Sequence, residues 1–311
     1  MTNEKLVLRA IDTAVFGVEG GSATSSGYVN PIIWNRQIEA FAKQNIVIAP
    51  LGVQNTELMG KPGVTLNVSV DAAITAASLS DTDSISIQQL SYTQVQVTPK
   101  EYGGAFQITR KEMDRAFANI LNEKASSAGY ALAKVKDDTI YAALVSGATT
   151  TKYSNQVAAA TDIASSDVFE TDLIADGISA LRVLNRDPVY LVIHPYQENA
   201  LLKDTQFIDA SQYGGREVVM NGEIGKYLGL RVFSSNVCTS VGVSTAGTDI
   251  GYKALLLGPR AFVHAQKRNP TIDSKYEPLD RAFTVAYVED WGASVLNANE
   301  ICVLVGYYTA G

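Results

Sequence analysis

Apolar positions change period several times along the chain, and each change marks an element. Residues 1 to about 30 alternate short apolar patches with Gly17, Gly20, Gly21, Ser25, Ser26 and Gly27. That is too broken for a long helix and too apolar for a free linker, so the segment reads as a docking arm. Asn30-Pro31 is an N-cap with proline in the first helical position, and Trp34, Ile38 and Phe41 follow at helical spacing, predicting a short amphipathic helix over 31–44. From Pro50 to about Lys100 the period becomes two: Val64, Leu66, Val68 and Val70 alternate with Thr65, Asn67 and Ser69, and a second run starts at Ile85 and Ile87 and resumes at Val95 and Val97. These predict a long antiparallel hairpin joined by a polar stretch. It has too little core of its own to stand alone and should rest on a neighbouring domain or subunit.

The longest element follows. Thr109-Arg110-Lys111-Glu112 is a capping box, and Met113, Phe117, Ile120, Leu121, Ala128, Leu132, Val135, Ile140 and Leu144 mark an apolar stripe that stops at Gly147. One helix over 110–146 would be about 55 Å long at 1.5 Å per residue, more than an ordinary domain helix, with Gly129 as its weakest point for a bend or break. Asp167-Val168-Phe169-Glu170 repeats the capping-box pattern ahead of Ile174, Ile178, Leu181 and Leu184, a helical run closed by Pro188. Val189 to Ile193 is a buried-strand signal, and His194-Pro195 leads into a short helical stretch. After the Gly214-Gly215 loop, Asn221 to Gly229 reads as a glycine-rich turn feeding a strand at Leu230 to Ser234. Alternating helices and strands predict a mixed subdomain at about 166–258, and Thr271 to Tyr276, Phe283 to Glu289 and Ile301 to Tyr308 predict a terminal block of strands.

Composition adds one constraint. Apolar residues make up 46% of the 311 positions, enough for a large core, yet charged residues are only 18%, against about 25% in ordinary soluble proteins. So little charge points to a surface hidden against other chains. The net charge of -7 argues against a broad phosphate-gripping face. Arg9 and Asp12 interrupt the N-terminus where a signal peptide needs an apolar stretch, and no run approaches about 18 apolar residues, so the chain is expected to stay in a cytosol with no membrane partner. Asn67-Val68-Ser69 then matches a glycosylation acceptor only by chance.

Catalytic constellations are missing from the pattern. Cys238 and Cys302, both in segments that read as strands, are far apart and outside any CxxC or Cys/His cluster, so they read as two isolated buried thiols. His194 and His264 are the chain's two histidines; no serine sits in a GxSxG elbow, and neither histidine has a partner at metal-ligand spacing. Asp81-Thr82-Asp83-Ser84 begins like a calcium loop but lacks the central glycine and closing glutamate. Gly222-Glu223-Ile224-Gly225-Lys226 has two residues between its glycines where a phosphate loop needs four, and Tyr227 where it needs serine or threonine. Lys267-Arg268 is a solvated pair. No catalytic, cofactor-binding or metal residue is assigned, and no cofactor is expected.

The order of elements is α+β and resembles the tailed-bacteriophage major capsid family, whose fold recurs in herpesvirus capsid floors and encapsulin shells. The resemblance covers nearly the whole chain. It rests on that order and on Gly222-Glu223-Ile224-Gly225-Lys226-Tyr227-Leu228-Gly229-Leu230-Arg231-Val232, on Lys253 to Val263, and on the strands around Phe283 to Glu289. It implies an N-terminal arm (1–30), a short helix (31–49), an extended β-hairpin loop (50–100), a peripheral domain with a spine helix (101–165), a mixed axial domain (166–258) and strands returning to the peripheral domain (259–311). It implies a structural protein, not an enzyme: pentamers and hexamers building an icosahedral head shell around double-stranded DNA that is confined without sequence-specific binding. The particle would be assembled in the host cytoplasm, with a portal and room for decoration proteins. About 30 residues before the first helix leave no space for a scaffolding segment, so a separate scaffold, or prior removal, is expected. Some relatives cross-link a loop lysine to an asparagine on a late strand; Lys61 is a loop lysine, but Arg281 to Glu289 holds no asparagine, and Asn297 and Asn299 fall later, so no cross-linking is expected. The alternatives are an encapsulin-like compartment and an α/β hydrolase-like enzyme using His194; a phage tail protein would share the strands but not the long helix.

Overall fold

The computed structural model describes residues 47–71, 92–115, 120–203, 223–243 and 249–308, together with residues 76, 78 and 87. The expected arm, the helix at 31–44, the second hairpin run at Ile85, the Asp81 to Ser84 stretch and the Gly214-Gly215 loop lie outside these. The described segments belong to one unit, Gln44–Gly311. In chain order they form β1 (Val53–Asn55), β2 (Leu66–Asp71), β3 (Tyr92–Val97), β4 (Lys100–Thr109), α1 (Arg110–Arg115), α2 (Ile120–Gly147), β5 (Thr150–Tyr153), α3 (Thr171–Val183), β6 (Tyr190–Ile193) and α4 (Pro195–Lys203). Then come β7 (Glu223–Tyr227), β8 (Leu230–Ser234), β9 (Ser240–Val243), β10 (Asp249–Leu257), β11 (Phe262–Glu277), β12 (Ala282–Val295) and β13 (Ile301–Tyr307).

These strands make three sheets. One has seven strands in the order β5-β13-β10-β6-β8-β7, with β9 also paired to β10; one has four in the order β1-β11-β12-β4; and β2 pairs β3 alone. The seven-stranded sheet is covered on both faces. Leu255, Leu257, Ile301, Val303 and Val305 pack with Ile140, Tyr141 and Leu144 of α2, whereas the alternate residues Ala254, Leu256, Cys302 and Leu304 pack with Leu173, Ile174, Ile178 and Leu181 of α3. Burial on both sides is why these strands read as unbroken apolar runs. Gly177 lets α3 approach closely, since a Cβ there would sit 2.7 Å from Leu304.

The expected terminal strand block is divided between two sheets. β11 and β12 join β4, whereas β13 is inserted between β5 and β10. The β2–β3 hairpin is antiparallel, with Leu66 opposite Val97 and Asp71 opposite Tyr92. Its base rests on β11 through Leu58, Leu66, Val97, Val263 and Ala265, and burying Leu66 and Val97 there contributes roughly 2 kcal/mol each.

The long helical run is helical over α1 and α2, with 116–119 outside the described residues, and α2 passes through Gly129 without a break. The Thr109–Glu112 box forms: the Thr109 amide donates to Glu112 Oε2 at 2.9 Å and the Glu112 amide to Thr109 Oγ1 at 3.3 Å. Those bonds hold the exposed Glu112 carboxyl below its ordinary value. The second box does not form. The helix starts at Thr171, so Glu170 is itself the cap, without a side-chain bond, and not the third helical residue the box requires; Asp167 instead accepts from the Ala164 amide at 2.8 Å, the Ser166 hydroxyl and the Asn155 amide group. Nor does α3 run to Pro188. It stops at Val183 because Asn185 adopts the left-handed conformation, φ 56°, a helix-ending role asparagine tolerates.

The stretch expected as a turn before residue 230 is itself a strand. β7 pairs antiparallel with β8, and the two-residue loop Leu228-Gly229 has φ of 49° and 84°, the signature of a type I′ hairpin. Leucine is strained there by its Cβ. Replacing the exposed Leu228 by asparagine, which tolerates this conformation, should raise the subunit's stability by about 1 kcal/mol, read as a higher urea midpoint; an unchanged or lower midpoint would show that the loop is unstrained.

Candidate functional site

Two charged residues interrupt the buried face of α2. Ala128, Leu132, Ile140 and Leu144 form the buried stripe, and Lys136 occupies its i+4 slot between Leu132 and Ile140. Val135, expected in the stripe, is exposed instead. Lys136 Nζ donates to Glu289 Oε1 of β12, and Gln266 Nε2 of β11 donates to the same oxygen at 2.7 Å. The neighbouring Asp137 is fully buried and accepts three amide hydrogens, from Val47 at 2.7 Å, Ile48 at 3.1 Å and Ala49 at 2.8 Å. Burial pushes its carboxyl above the usual carboxylate range, against the pull of those three amides. Tyr141 completes the seam: its hydroxyl donates to the Lys253 carbonyl at 2.9 Å and accepts the Thr239 amide at 3.0 Å. The spine thus ties together the incoming chain, the four-stranded sheet and the seven-stranded sheet.

His264 is a packed core residue on β11. Its Nδ1 meets Gln54 Oε1 at 2.8 Å, and its ring lies 5.7 Å from that of Trp291, which stacks on Tyr102 at 4.6 Å. Gln54 Nε2 donates to the Ala49 carbonyl, so Gln54 Oε1 accepts and His264 carries its proton on Nδ1. Burial, helped by the Lys136 charge and opposed by Glu289, lowers the imidazole to about 4.

His194 ends β6 in a half-buried aromatic group. Its Nδ1 accepts the Tyr196 amide at 3.2 Å, its own amide donates to Gln197 Oε1 at 3.0 Å, and its ring stacks on Tyr252 at 3.9 Å. Burial lowers its pKa. With Nδ1 accepting from backbone, the neutral ring carries its proton on Nε2, the nitrogen that a Ser-His-Asp triad turns toward its nucleophile, so Nε2 is set as a donor there and not as a base.

The remaining candidates resolve locally. Cys302 lies in β13, but Cys238 lies in the turn after β8 rather than in a strand, because the chain must swing round there to start β9; both thiols are free, buried and pushed up by burial, Cys302 to about 12. Lys226 belongs to β7, and Arg268 pairs with Asp290 at 3.1 Å and Glu101 at 3.5 Å. Asn297 accepts the Asn299 amide at 3.1 Å and caps a short turn, while Lys61 lies in the turn closed by its amide on the Leu58 carbonyl. Among the described residues no group of three or more His, Cys, Asp or Glu could hold a metal ion, and no helix is long and apolar enough to cross a membrane.

What the surface does offer is apolar side chains on projecting elements. Val64, Ile87 and Tyr92 are exposed on or beside the hairpin segment, and Leu279, at 97% exposure, tips the turn between β11 and β12. Such positions are natural contacts between protein chains.

A family model for phage capsid protein matches residues 92–303, about two thirds of the chain. The chain belongs to the phage capsid protein family. A solved structure from Mycobacterium phage Che8 is 20% identical, with a TM-score of 0.68 over 90% of this chain and 98% of that one. The capsid of Ralstonia phage GP4 gives 13% identity and a TM-score of 0.70 over 93% and 99%. The cyanophage Pam1 capsid asymmetric unit gives 14% and 0.70 over 96% and 98%. No curated protein matches by sequence. This is an α+β major capsid protein, a structural subunit that forms the head shell of the virion.

In this capsid subunit the buried His264 makes stability depend on acid. The unfolded histidine binds a proton near pH 6.5 and the folded one near 4, so stability is complete above 6.5 and falls as the pH drops toward 4. The slope is about 1.4 kcal/mol per pH unit. Urea unfolding from pH 7 to 4.5 should show that His264→Gln, which keeps a partner for Gln54, loses this part of the acid sensitivity; parallel curves for the two proteins would show that His264 titrates normally.

Proposed function

We propose that this subunit builds an icosahedral shell through three contacting parts: the N-terminal arm (1–30), the extended hairpin loop (50–100), and an axial unit centred on 166–258 that gathers around five-fold and six-fold positions. The spine helix and four-stranded sheet form the peripheral domain (101–165 with the returning strands of 259–311), and β13 is counted with the axial unit because it pairs with β10. The observation that carries the reading is the β2–β3 hairpin, a two-stranded ribbon anchored on β11 through Leu66 and Val97, with Val68 packed beside them, while Val64 and Tyr92 stay exposed. A neighbouring subunit supplies the cover such a ribbon lacks. Pentamers and hexamers arise from heterologous contacts closed by rotation.

The shell encloses double-stranded DNA by confinement, since a subunit of net charge -7 would not hold it by charge. Its proposed partners are a separate scaffolding protein, a portal and decoration proteins, with assembly in the host cytoplasm. It has no enzymatic role and needs no cofactor.

Replacing 68–95 by an Asn-Gly turn joins Asn67 to Gln96, which face each other in the ribbon, and keeps Leu66 and Val97 on β11. The shortened subunit should melt like the full one yet form no closed shells in negative-stain electron microscopy; intact shells would refute the role of the loop. Denaturing gels of mature particles should show a single subunit band, because Lys61 has no asparagine partner on β12; a ladder of covalent multimers would contradict this.

A further inference from the structure

Two surfaces at opposite ends of β6 are complementary. At its C-terminal end four rings converge: His194 after β6, Tyr196 in the first turn of α4, Tyr252 on β10 and Tyr308 just past β13. His194 lies nearly flat on Tyr252, 3.9 Å apart at 14°, and Tyr196 on Tyr308, 4.1 Å apart at 26°. Tyr252 meets Tyr308 edge-on at 5.8 Å. Tyr196 remains 43% exposed, as does the adjacent Ile250 at 47%, whose carbonyl accepts the Tyr308 amide at 2.9 Å. The phenol groups crowd one another: burial first and Tyr196 second raise both Tyr252 and Tyr308. The platform is electron-rich, with aromatic faces and phenolic oxygens but no need for another acceptor. An anion is disfavoured there, and although the Tyr196 and Tyr308 hydroxyls bond each other, a purely apolar partner would offer no donor to their remaining lone pairs. A flat cation stacks on the rings and donates to the oxygens.

Before the N-terminal end of β6, α3 finishes with Arg182 and Val183, and Leu184 caps it. The Arg182 side chain is 62% exposed, and its ion pair is with Asp187, itself 86% exposed, a bond of little strength that a better site can displace. Val183 is 81% exposed and Leu184 40%. One end of the unit thus presents a guanidinium flanked by bare aliphatic side chains, and the other an aromatic face flanked by Ile250.

We propose that the His194–Tyr196–Tyr252–Tyr308 platform receives Arg182 of the partner subunit, in a head-to-tail contact between copies of this chain. The contact is heterologous, so rotation closes it into a ring. It rests on the shell-forming reading and names one contact within it.

The test is a double-mutant cycle on assembly, followed by light scattering and electron microscopy with scaffold supplied. Tyr196→Leu and Arg182→Ala should each raise the protein concentration needed for rings or shells by about tenfold. The double variant should be no worse than either single one, because the two changes remove the same contact. Tyr196→Phe, which keeps the aromatic face but removes one acceptor oxygen, should lose less than Tyr196→Leu. Thermal melts identify any variant that fails to fold, and Tyr308→Leu then replaces Tyr196→Leu in the cycle. Additive effects, unchanged assembly of the single variants, or equal loss in Tyr196→Phe and Tyr196→Leu would overturn the contact while leaving the shell reading intact. Wild-type protein that forms neither rings nor shells would overturn both.

Discussion

Everything in this subunit is hung on the pairing of β10 with β13. Seven residue pairs, from Gly251–Tyr307 to Leu257–Ile301, hold two apolar strands antiparallel in the middle of the large sheet. Alternate side chains face opposite layers, one capped by α2 and the other by α3. A slip of one residue would exchange the two sets, placing Leu255 and Val303 against α3 and Leu256 and Leu304 against α2. The ladder therefore sets the position of both helices at once. Because β13 arrives from the far end of the chain, that position exists only when the last fifty residues have folded back.

The spine helix passes the arrangement on to the second sheet. Its buried side is apolar except at Lys136 and Asp137, and both are satisfied by groups distant in sequence: Glu289 of β12 for the lysine, and the amides of Val47, Ile48 and Ala49 for the aspartate. Buried charges are poor sources of net stability but strict about geometry, since losing either partner leaves an uncompensated charge. Here they set how the helix is rotated against β12 and where the incoming chain must cross it. A helix with leucine at both positions could settle in several rotations, and the extended hairpin that starts from this crossing would lose its direction.

A shell subunit has to be rigid within and adhesive without. The rigid part is visible in the two-faced sheet and the spine. The proposed adhesive part lies where the chain leaves that frame: the hairpin, the bare tip at Leu279, the α3 end at Arg182 to Leu184 and the aromatic platform at Tyr196. A low charge content suits such a molecule, because interfaces that bury much of a subunit are depleted in charge.

Much of this was legible in the residues. The Thr109–Glu112 box, the helical stripe behind it, the alternating strands of the hairpin and the apolar runs at 253–257 and 301–305 are local patterns, and local patterns survive into the fold because neighbouring side chains enforce them. The order of elements was enough to point to the capsid family. The second capping box failed because the helix begins only at Thr171, past its glutamate, and the strand at Glu223–Tyr227 was hidden behind its glycines. The candidate sites were harder: Lys136 sits in an apolar stripe, a visible irregularity, but nothing near it in sequence announces Glu289, and the four rings at Tyr196 come from three segments each more than fifty residues from the next. The sequence by itself determined the elements, their order and the sparsely charged surface, since these follow from side-chain period and composition. Only the tertiary structure decided which sheet each late strand joined, which face of α2 carried its charges and which aromatic residues met, because each depends on contacts between distant segments.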